Sequence, residues 1–198
     1  MAPGVRRARP PREEPPVFTP INLKRWVEEH RHLLQPPVCN KQVWLDDRET
    51  IVMIVGGPNQ RNDYHVNPTE EFFYQVQGDV TVRIIHPDTG KPHDITIREG
   101  EIYLLPAKVP HSPMRGPNTV GLVIELKRPA GSKDLLRWYC ERDGEVVWEA
   151  PFTLQNIAVD LKQIMERFWS DAALRRCKRC GTVVEKPAAT AATAAAAM

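Results

Sequence analysis

Residues 63–78 of this chain read DYHVNPTEEFFYQVQG, and residues 100–111 read GEIYLLPAKVPH. Each segment is bounded by a glycine, and together they hold three candidate metal ligands, His65, Glu71 and His111. Two imidazoles and one carboxylate can occupy one face of a metal ion and leave its other positions open. Such a ligand set suits non-haem Fe(II) that binds a substrate and O2 together. The pattern therefore predicts an open-sided metal centre.

The three residues can meet only if the chain turns between the first two. A continuous strand would separate His65 from Glu71 by roughly 20 Å, but Asn67-Pro68-Thr69 supplies a turn signal between them. His111 follows a short apolar run and can point inward where that run ends. Taken singly, each histidine is more often a surface or hydrogen-bonded residue than a ligand, and Glu71 beside Glu70 could be an exposed acidic pair. Together, within two glycine-bounded segments of matching form, the three are much more specific.

Short runs of β-branched and aromatic residues dominate the sequence between residues 43 and 126. Turn signals rich in glycine, proline and asparagine separate them, and strands this short and evenly spaced are typical of a β-sandwich or barrel. On the predicted strand Glu71–Val76, the side chains of Glu71, Phe73 and Gln75 should point to the same face. The predicted strands are Thr50–Val55, Glu71–Val76, Val80–Ile85, Asp94–Arg98, Ile102–Leu105 and Val120–Leu126.

Helices and tails are predicted on either side of the strands. Asn22 can cap a first helix with apolar residues at helical spacing, and residues 154–173 show a second amphipathic pattern. Residues 1–19 carry four arginines and five prolines, so we predict a disordered arm, with mitochondrial targeting as an alternative. We predict one domain over residues 20–180 and a disordered tail over residues 181–198.

The composition is that of an ordinary globular protein. Hydrophobic residues make up 41% of the chain and charged residues 26%. With 198 residues, the chain is long enough for one domain with a substantial core. The formal net charge of +2 does not favour electrostatic capture of nucleic acid or of an anionic membrane. No apolar run approaches the ~20 residues that cross a bilayer, and we find no signal peptide. We therefore expect a cytoplasmic protein that binds neither nucleic acid nor membrane.

Both metal segments resemble the two motifs of the cupin barrel, although Asn67 stands where the usual His-x-His pair has its second histidine. Within the cupins, the chain is similar to the 3-hydroxyanthranilate 3,4-dioxygenases over about residues 21–180. The matching motif residues are Gly57, His65, Glu71, Gly78, Gly100, Pro106 and His111, and the matching segments are Gln35–Lys41, Gly56–Asn59, Arg61–His65, Glu71–Gln75 and Leu104–Pro113.

This resemblance implies an all-β-dominated cupin barrel, a double-stranded β-helix or jelly roll with an N-terminal and a C-terminal helix. It also implies Fe(II)-dependent, extradiol-type ring cleavage of 3-hydroxyanthranilate by O2. The expected product is 2-amino-3-carboxymuconate semialdehyde, the precursor of quinolinate, and the expected assembly is a homodimer. Another metal-dependent cupin, such as an isomerase or a small-acid binding module, is the alternative.

Three further residues receive a role from the resemblance. Arg61 and Arg115, which flank the metal segments, would bind the substrate carboxylate, for which the arginine fork is well shaped. Glu125, at the end of a strand that should be mostly buried, would contact the substrate and take part in proton transfer. The alternatives are two solvated surface arginines and a structural salt bridge between Glu125 and one of them.

A second metal site is suggested by the cysteines near the C-terminus. Cys177 and Cys180 form half of a metal-binding knuckle rather than part of a disulfide framework. Small proteins that this chain resembles carry another Cys-x2-Cys upstream, but here Cys140 is followed by Asp143 in place of the second cysteine. Three thiolates and a carboxylate could bind a structural zinc or iron, with zinc favoured by the harder oxygen ligand. A metal-free site with reduced cysteines is the alternative.

Overall fold

The structure is a computed structural model that describes residues 17–35, 39–45, 49–59, 61–155 and 157–187. Within these residues, two antiparallel sheets of five and six strands make up most of the chain, with one α-helix before them and one after. This is the β-dominated cupin architecture that the sequence predicts. None of the described helices is long and apolar enough to cross a membrane.

The helices are α1 (Leu23–His30), which continues into a 3-10 turn (Arg31–Leu33), and α2 (Ile157–Ser170). The strands are β1 (Asn40–Gln42), β2 (Thr50–Gly56), β3 (Asp63–Val66), β4 (Glu71–Gln77), β5 (Val80–Ile85), β6 (Pro92–Ile97), β7 (Ile102–Leu105), β8 (His111–Arg115), β9 (Val120–Leu126), β10 (Asp134–Tyr139) and β11 (Val146–Phe152). The five-stranded sheet has the order β1-β2-β9-β4-β7, and the six-stranded sheet has the order β11-β10-β3-β8-β5-β6.

The main core lies between the two sheets. Its buried residues come from β2, β4, β7 and β9 on one side and from β5 and β6 on the other, and they include Met53, Phe73, Val82 and Ile97. Along β4 the buried and half-buried residues alternate, because successive side chains of a strand point to opposite faces. Burial of a side chain such as Phe73 stabilises the fold by about 1.5–3 kcal/mol.

Helix α2 packs on β10 and β11, on the face of the six-stranded sheet that also carries His65. Phe168 stacks on Trp138 with ring centroids 4.0 Å apart, and both side chains are fully buried. The same cluster includes Cys140 and Cys177, so it joins the helix, the sheet and the C-terminal cysteine segment. The position of α2 is therefore set by aromatic packing, which lets it also approach the central cavity through Leu161.

Helix α1 begins where the sequence predicts, because the Asn22 side chain accepts a hydrogen bond from the backbone N–H of Arg25 at 3.0 Å. The chain after the helix lies very close to β2. A Cβ atom on Gly56 would lie 2.1 Å from the backbone oxygen of Leu34, so this contact requires glycine. The contact holds the 3-10 turn against the five-stranded sheet.

All six predicted strands are present, with ends shifted by up to two residues, and the predicted second helix is present but shorter than residues 154–173. Strands β1, β3, β8, β10 and β11 were not predicted. β3 and β8 could not be predicted because they carry polar residues although they are buried along much of their length. They therefore lack the alternation of apolar and polar residues that marks an ordinary strand.

The predicted arm and tail fall largely on residues 1–16 and 188–198, which lie outside the described residues. Of the predicted tail, residues 181–187 are described, and in them Val183 forms a β-bridge with Arg176. Val184 is buried in the cluster under α2. The domain boundaries derived from the sequence stay predictions.

Candidate metal centre

His65 and His111 are brought together by the six-stranded sheet, where they are direct register partners on β3 and β8. Glu71 is the first residue of β4 in the opposite sheet. All three side chains are buried, and the candidate ligand atoms lie within 4.8 Å of one another. His111 Nε2 is 3.0 Å from Glu71 Oε2. The turn at residues 67–69 therefore does return the chain so that the predicted triad converges.

A hydrogen bond at one ring nitrogen orients each imidazole, and the other ring nitrogen is the candidate metal ligand. His65 Nε2 lies 2.7 Å from Asp134 Oδ2, and His111 Nδ1 lies 3.0 Å from the backbone oxygen of Val109. Both partners are acceptors, so both of these nitrogens donate. Metal-binding histidines are commonly held in this way by a carboxylate or a carbonyl. Nδ1 of His65 and Nε2 of His111 then remain as the lone-pair donors.

The electrostatics of the triad favour a carboxylate at Glu71 and a neutral imidazole at His65. Burial opposes ionisation of Glu71, but His111 and His65 outweigh it and hold the pKa of this carboxyl below its ordinary value. Burial lowers the pKa of His65, which keeps that ring neutral and able to bind a metal. Burial also acts on His111, yet Glu71 beside it raises its pKa. The donor set thus fits a divalent cation with open positions.

The triad faces a cavity between the sheets. The residues that line this cavity include the three to which the family resemblance gives a substrate role, Arg61, Arg115 and Glu125. The two arginines differ in how far they are already paired. Arg61 is committed to an ion pair with Asp63, and this pairing raises the pKa of Arg61 although burial opposes it.

Arg115 is a buried guanidinium with spare hydrogen-bonding capacity. Its Nη1 donates to Gln75 Oε1 at 3.1 Å, whereas its Nε has no hydrogen-bond partner among the described residues. Burial lowers its pKa to about 10, so it is still charged at neutral pH. A Cβ atom on Gly121 would lie 2.6 Å from Nη1, which means that glycine leaves room for this side chain. A buried cation with an unused donor favours binding of an anion.

Glu125 is also buried beside the triad, directly across the β4–β9 ladder from Glu71. Burial, and then the charge of Glu71, raise its pKa to about 7. Its ion-pair partner is Arg128, whose Nη2 donates to Oε2 at 2.5 Å, rather than Arg61 or Arg115. The salt bridge considered from the sequence is therefore present, but with a different arginine.

Sequence reasoning missed two residues of this region, Arg128 and Asp134. Neither belongs to a recognisable motif, and Asp134 lies 69 positions from the histidine that it contacts. One signal was available: Arg128 follows the acid Glu125 by three residues, and a buried acid needs a cation nearby.

The cysteine segment forms a second cluster away from the cavity. Cys140, Asp143, Cys177 and Cys180 have their candidate ligand atoms within 4.8 Å of one another. Sγ of Cys140 is 3.5 Å from Sγ of Cys180, and Sγ of Cys177 is 3.5 Å from Oδ2 of Asp143. All the cysteines are free thiols. Asp143 therefore takes the place next to the thiols that the sequence assigned to it.

Two matching turns build this cluster. Gly144 N–H donates to the backbone oxygen of Cys140 at 2.9 Å, and Gly181 N–H donates to that of Cys177 at 2.9 Å. Both glycines have positive φ angles, 74° and 76°. Burial raises the pKa of Cys140 to about 11, while hydrogen bonding from Cys180 lowers the pKa of Asp143 to about 2. Paired turns of this form can present four ligands to one metal.

Comparisons with known proteins agree on one family. The sequence pattern of the 3-hydroxyanthranilic acid dioxygenases matches residues 17–169. The chain is 46% identical over 169 residues to a 3-hydroxyanthranilate 3,4-dioxygenase of Coccidioides immitis, covering 82% of this chain and 88% of that protein. The Neurospora crassa protein of the same name is 47% identical, with 85% and 92% covered. A Xanthomonas campestris protein of that name is also 47% identical, with 86% and 95% covered.

Similarity to solved structures is weaker. A cupin-2 domain containing protein from Shewanella frigidimarina shares 19% identity with a TM-score of 0.41, over 50% of this chain and 91% of that one.

We expect His111→Ala to weaken binding of Fe(II) at the triad by at least about 100-fold, because it removes a ligand and not merely a residue that orients one. The measurement is metal retained after desalting, made in a Cys177→Ser background so that metal held by the thiols is not counted. His93→Ala is the matched control, since His93 is exposed. Equal retention by the His111→Ala protein and its parent would remove His111 from the ligand set.

Proposed function

The chain belongs to the 3-hydroxyanthranilic acid dioxygenase family, and we propose that it opens the ring of 3-hydroxyanthranilate at the site of His65, Glu71 and His111. Cleavage between C3 and C4 with retention of both atoms of O2 leaves a carboxylate at one carbon and an aldehyde at the other, giving 2-amino-3-carboxymuconate semialdehyde. The observation that best supports the site is a buried, open-sided triad beside a buried guanidinium with an unused donor.

Fe(II) is the metal that we propose for the triad. Two neutral imidazole nitrogens and one carboxylate can hold it on one side. When bound, Fe(II) supplies open positions where substrate and O2 can meet and exchange electrons. The protein supplies the rigid partners of the ligands, since Asp134 and the backbone oxygen of Val109 orient the two histidines. The buried surroundings exclude bulk water from the reacting groups.

Arg115 is proposed to bind the substrate carboxylate. It is the buried arginine whose Nε lacks a partner among the described residues. A substrate carboxylate at this position would accept a charged hydrogen bond from that N–H. Arg61 lines the same cavity but is already paired with Asp63. We assign it a supporting role at the cavity wall, where its charge assists the approach of the anion.

Glu125 is proposed to accept the proton of the substrate hydroxyl. A general base works best when its pKa lies near the working pH, and burial together with Glu71 brings the pKa of Glu125 to about 7. Arg128 holds one oxygen of this carboxylate at 2.5 Å, which limits its rotation. The group is thereby set beside the triad with a fixed orientation.

The deciding experiment is anaerobic loading with Fe(II), addition of 3-hydroxyanthranilate and then admission of O2. We expect oxygen uptake in a 1:1 ratio with substrate and the absorbance of the semialdehyde. A cupin isomerase or binding module, the alternative from the sequence, would be indifferent to O2. Absence of both signals from the iron-loaded protein would overturn the proposal.

We expect Arg115→Gln to raise the KM for 3-hydroxyanthranilate by about 10- to 100-fold, the loss of one charged hydrogen bond to a carboxylate. Steady-state oxygen uptake measures it. Arg98→Gln is the control, because Arg98 lies on the surface and pairs only loosely with Glu101 at 3.7 Å. An unchanged KM in the Arg115→Gln protein would assign carboxylate recognition elsewhere.

A second metal, structural in role, is proposed for Cys140, Asp143, Cys177 and Cys180. The two matching turns and the convergence of all four side chains support it. Zinc is the ion that such a mixed set of three thiolates and one carboxylate favours over a rubredoxin-type iron. The site adjoins the aromatic cluster under α2, so metal there would tie the C-terminal segment to the sheet.

We expect metal analysis of the protein grown with zinc to give one more metal per chain in the parent than in a Cys177→Ser variant, because that variant loses one of four ligands. Cys39→Ser serves as the control, since Cys39 contacts the backbone oxygen of Pro58 and not the cluster. Equal metal content in all three proteins would exclude a second metal.

A homodimer is also proposed, formed through the outer face of the five-stranded sheet. This face carries a patch of apolar residues that neighbour one another across strands: Phe72, Ile102, Leu104, Ile124 and Leu126. Ile102, Leu104 and Leu126 are at least half exposed. An uncharged face matches an identical face about a twofold axis, and large exposed apolar patches mark such interfaces. Together with family likeness, this favours a second copy as the occupant.

We expect the Leu104→Glu protein to sediment as a monomer at concentrations where the parent is a dimer, because the symmetric interface would bury the introduced charge twice. Val146→Glu is the control, as Val146 is exposed and stands on β11 of the six-stranded sheet. A monomeric parent, or a Leu104→Glu protein that stays dimeric, would contradict this interface.

The cytoplasmic location and the link to quinolinate stay predictions.

A further inference from the structure

Arg128 is a nearly buried cation that binds four neighbours at once. Its side chain is 8% exposed, and its Nε donates to Asp134 Oδ1 at 2.9 Å. Nη2 donates to Asp134 Oδ2 at 2.8 Å and to Glu125 Oε2 at 2.5 Å. Nη1 donates to Thr69 Oγ1 at 3.0 Å and to the backbone oxygen of Leu126 at 2.9 Å. Every nitrogen of the guanidinium is thus used.

These contacts form a continuous chain between two functional side chains. Asp134, fully buried, accepts from His65 and from Arg128. Arg128 in turn reaches Glu125, which stands on the other sheet. Neither Asp134 nor Arg128 is among the residues that line the cavity. Their hydrogen bonds to residues that line the cavity are those to His65 and Glu125.

We propose that Arg128 is a positioning residue that fixes His65, through Asp134, and Glu125 at the same time. A single cation then holds a metal ligand from one sheet and a proton acceptor from the other in a constant relative position. The inference rests on the proposed roles of His65 and Glu125 and adds the element that couples them. Arg128 also donates to Thr69, which lies in the turn between His65 and Glu71, so the same guanidinium restrains this turn.

The shape of the contacts requires arginine. Its planar fork presents donors in fixed directions to two carboxylates, a hydroxyl and a carbonyl, whereas the lysine ammonium is a compact point charge with three donors. Without the guanidinium, Asp134 and Glu125 would be buried carboxylates that lack a shared cation, and such groups are costly to keep in place. Each would turn toward another partner, and His65 would lose the rigidity of its own.

The test compares Arg128→Gln, Arg128→Lys and Asp134→Asn with the parent holoenzyme. The first readout is the rate at which a chelator removes iron from the triad without substrate, measured in a Cys177→Ser background. We expect loss about 10- to 100-fold faster in all three variants, the usual effect of removing a group that orients a metal-bound histidine. Arg137→Gln is the matched control, since Arg137 pairs with Glu149 at 2.7 Å on the neighbouring strands β10 and β11. Its iron loss should stay within about twofold of the parent rate.

The second readout separates positioning of Glu125 from general loosening of the fold. We expect Arg128→Gln to lower kcat far more than it changes KM. In a Glu125→Gln background the same substitution should change kcat per bound iron by no more than about threefold, because residues that act through one another are not additive. Expressing kcat per bound iron removes the iron loss that follows from freeing His65. Purely structural damage would instead multiply with the loss of Glu125.

Iron loss at the parent rate in both Arg128→Lys and Asp134→Asn would overturn the inference, even if Arg128→Gln fails to fold. Multiplicative kcat effects of Arg128→Gln and Glu125→Gln would overturn the half that concerns Glu125. A parent that holds no iron at the triad overturns the proposed function itself, and this inference with it. If the parent holds iron and turns over substrate but the variants do not behave as expected, only this inference fails and the proposed function stands.

Discussion

Charge compensation inside the barrel is the constraint on which the rest of the structure depends. Glu71, Glu125 and Asp134 are all at most 5% exposed, and a buried carboxylate without a partner is strongly destabilising. Arg128 binds two of them, and His111 lies 3.0 Å from the third. Because the three carboxylates stand on β4, β9 and β10, these strands cannot shift separately without breaking one of these contacts.

The two sheets each supply one part of the site. The histidines lie side by side on the six-stranded sheet, and the glutamates lie side by side on the five-stranded sheet. The triad closes only when the sheets pack, and the apolar core between them provides the free energy for that. On β4, Glu71 shares its face with Phe73. A slip of one residue would turn both outward, so core packing and ligand placement depend on the same register.

The two candidate metal sites differ in what they leave open. The triad offers three ligands on one side and faces a cavity with a buried, incompletely paired arginine. The cysteine cluster offers four ligands from two similar turns. Closed four-ligand sites stabilise structure, whereas three-ligand sites leave room for chemistry. The departure at Asp143 alters the second site without touching any residue of the first.

The sequence by itself determined the β-dominated fold and identified His65, Glu71 and His111 as candidate ligands, because strand alternation, turn residues and ligand chemistry are local properties. It did not reveal β3 or β8, whose polar residues face the site. Nor did it reveal that Glu125 pairs with Arg128, or that Asp134 orients His65 from 69 residues away. Only the tertiary structure decided those pairings, since the partner of a buried charge is the group that folding places within hydrogen-bonding distance.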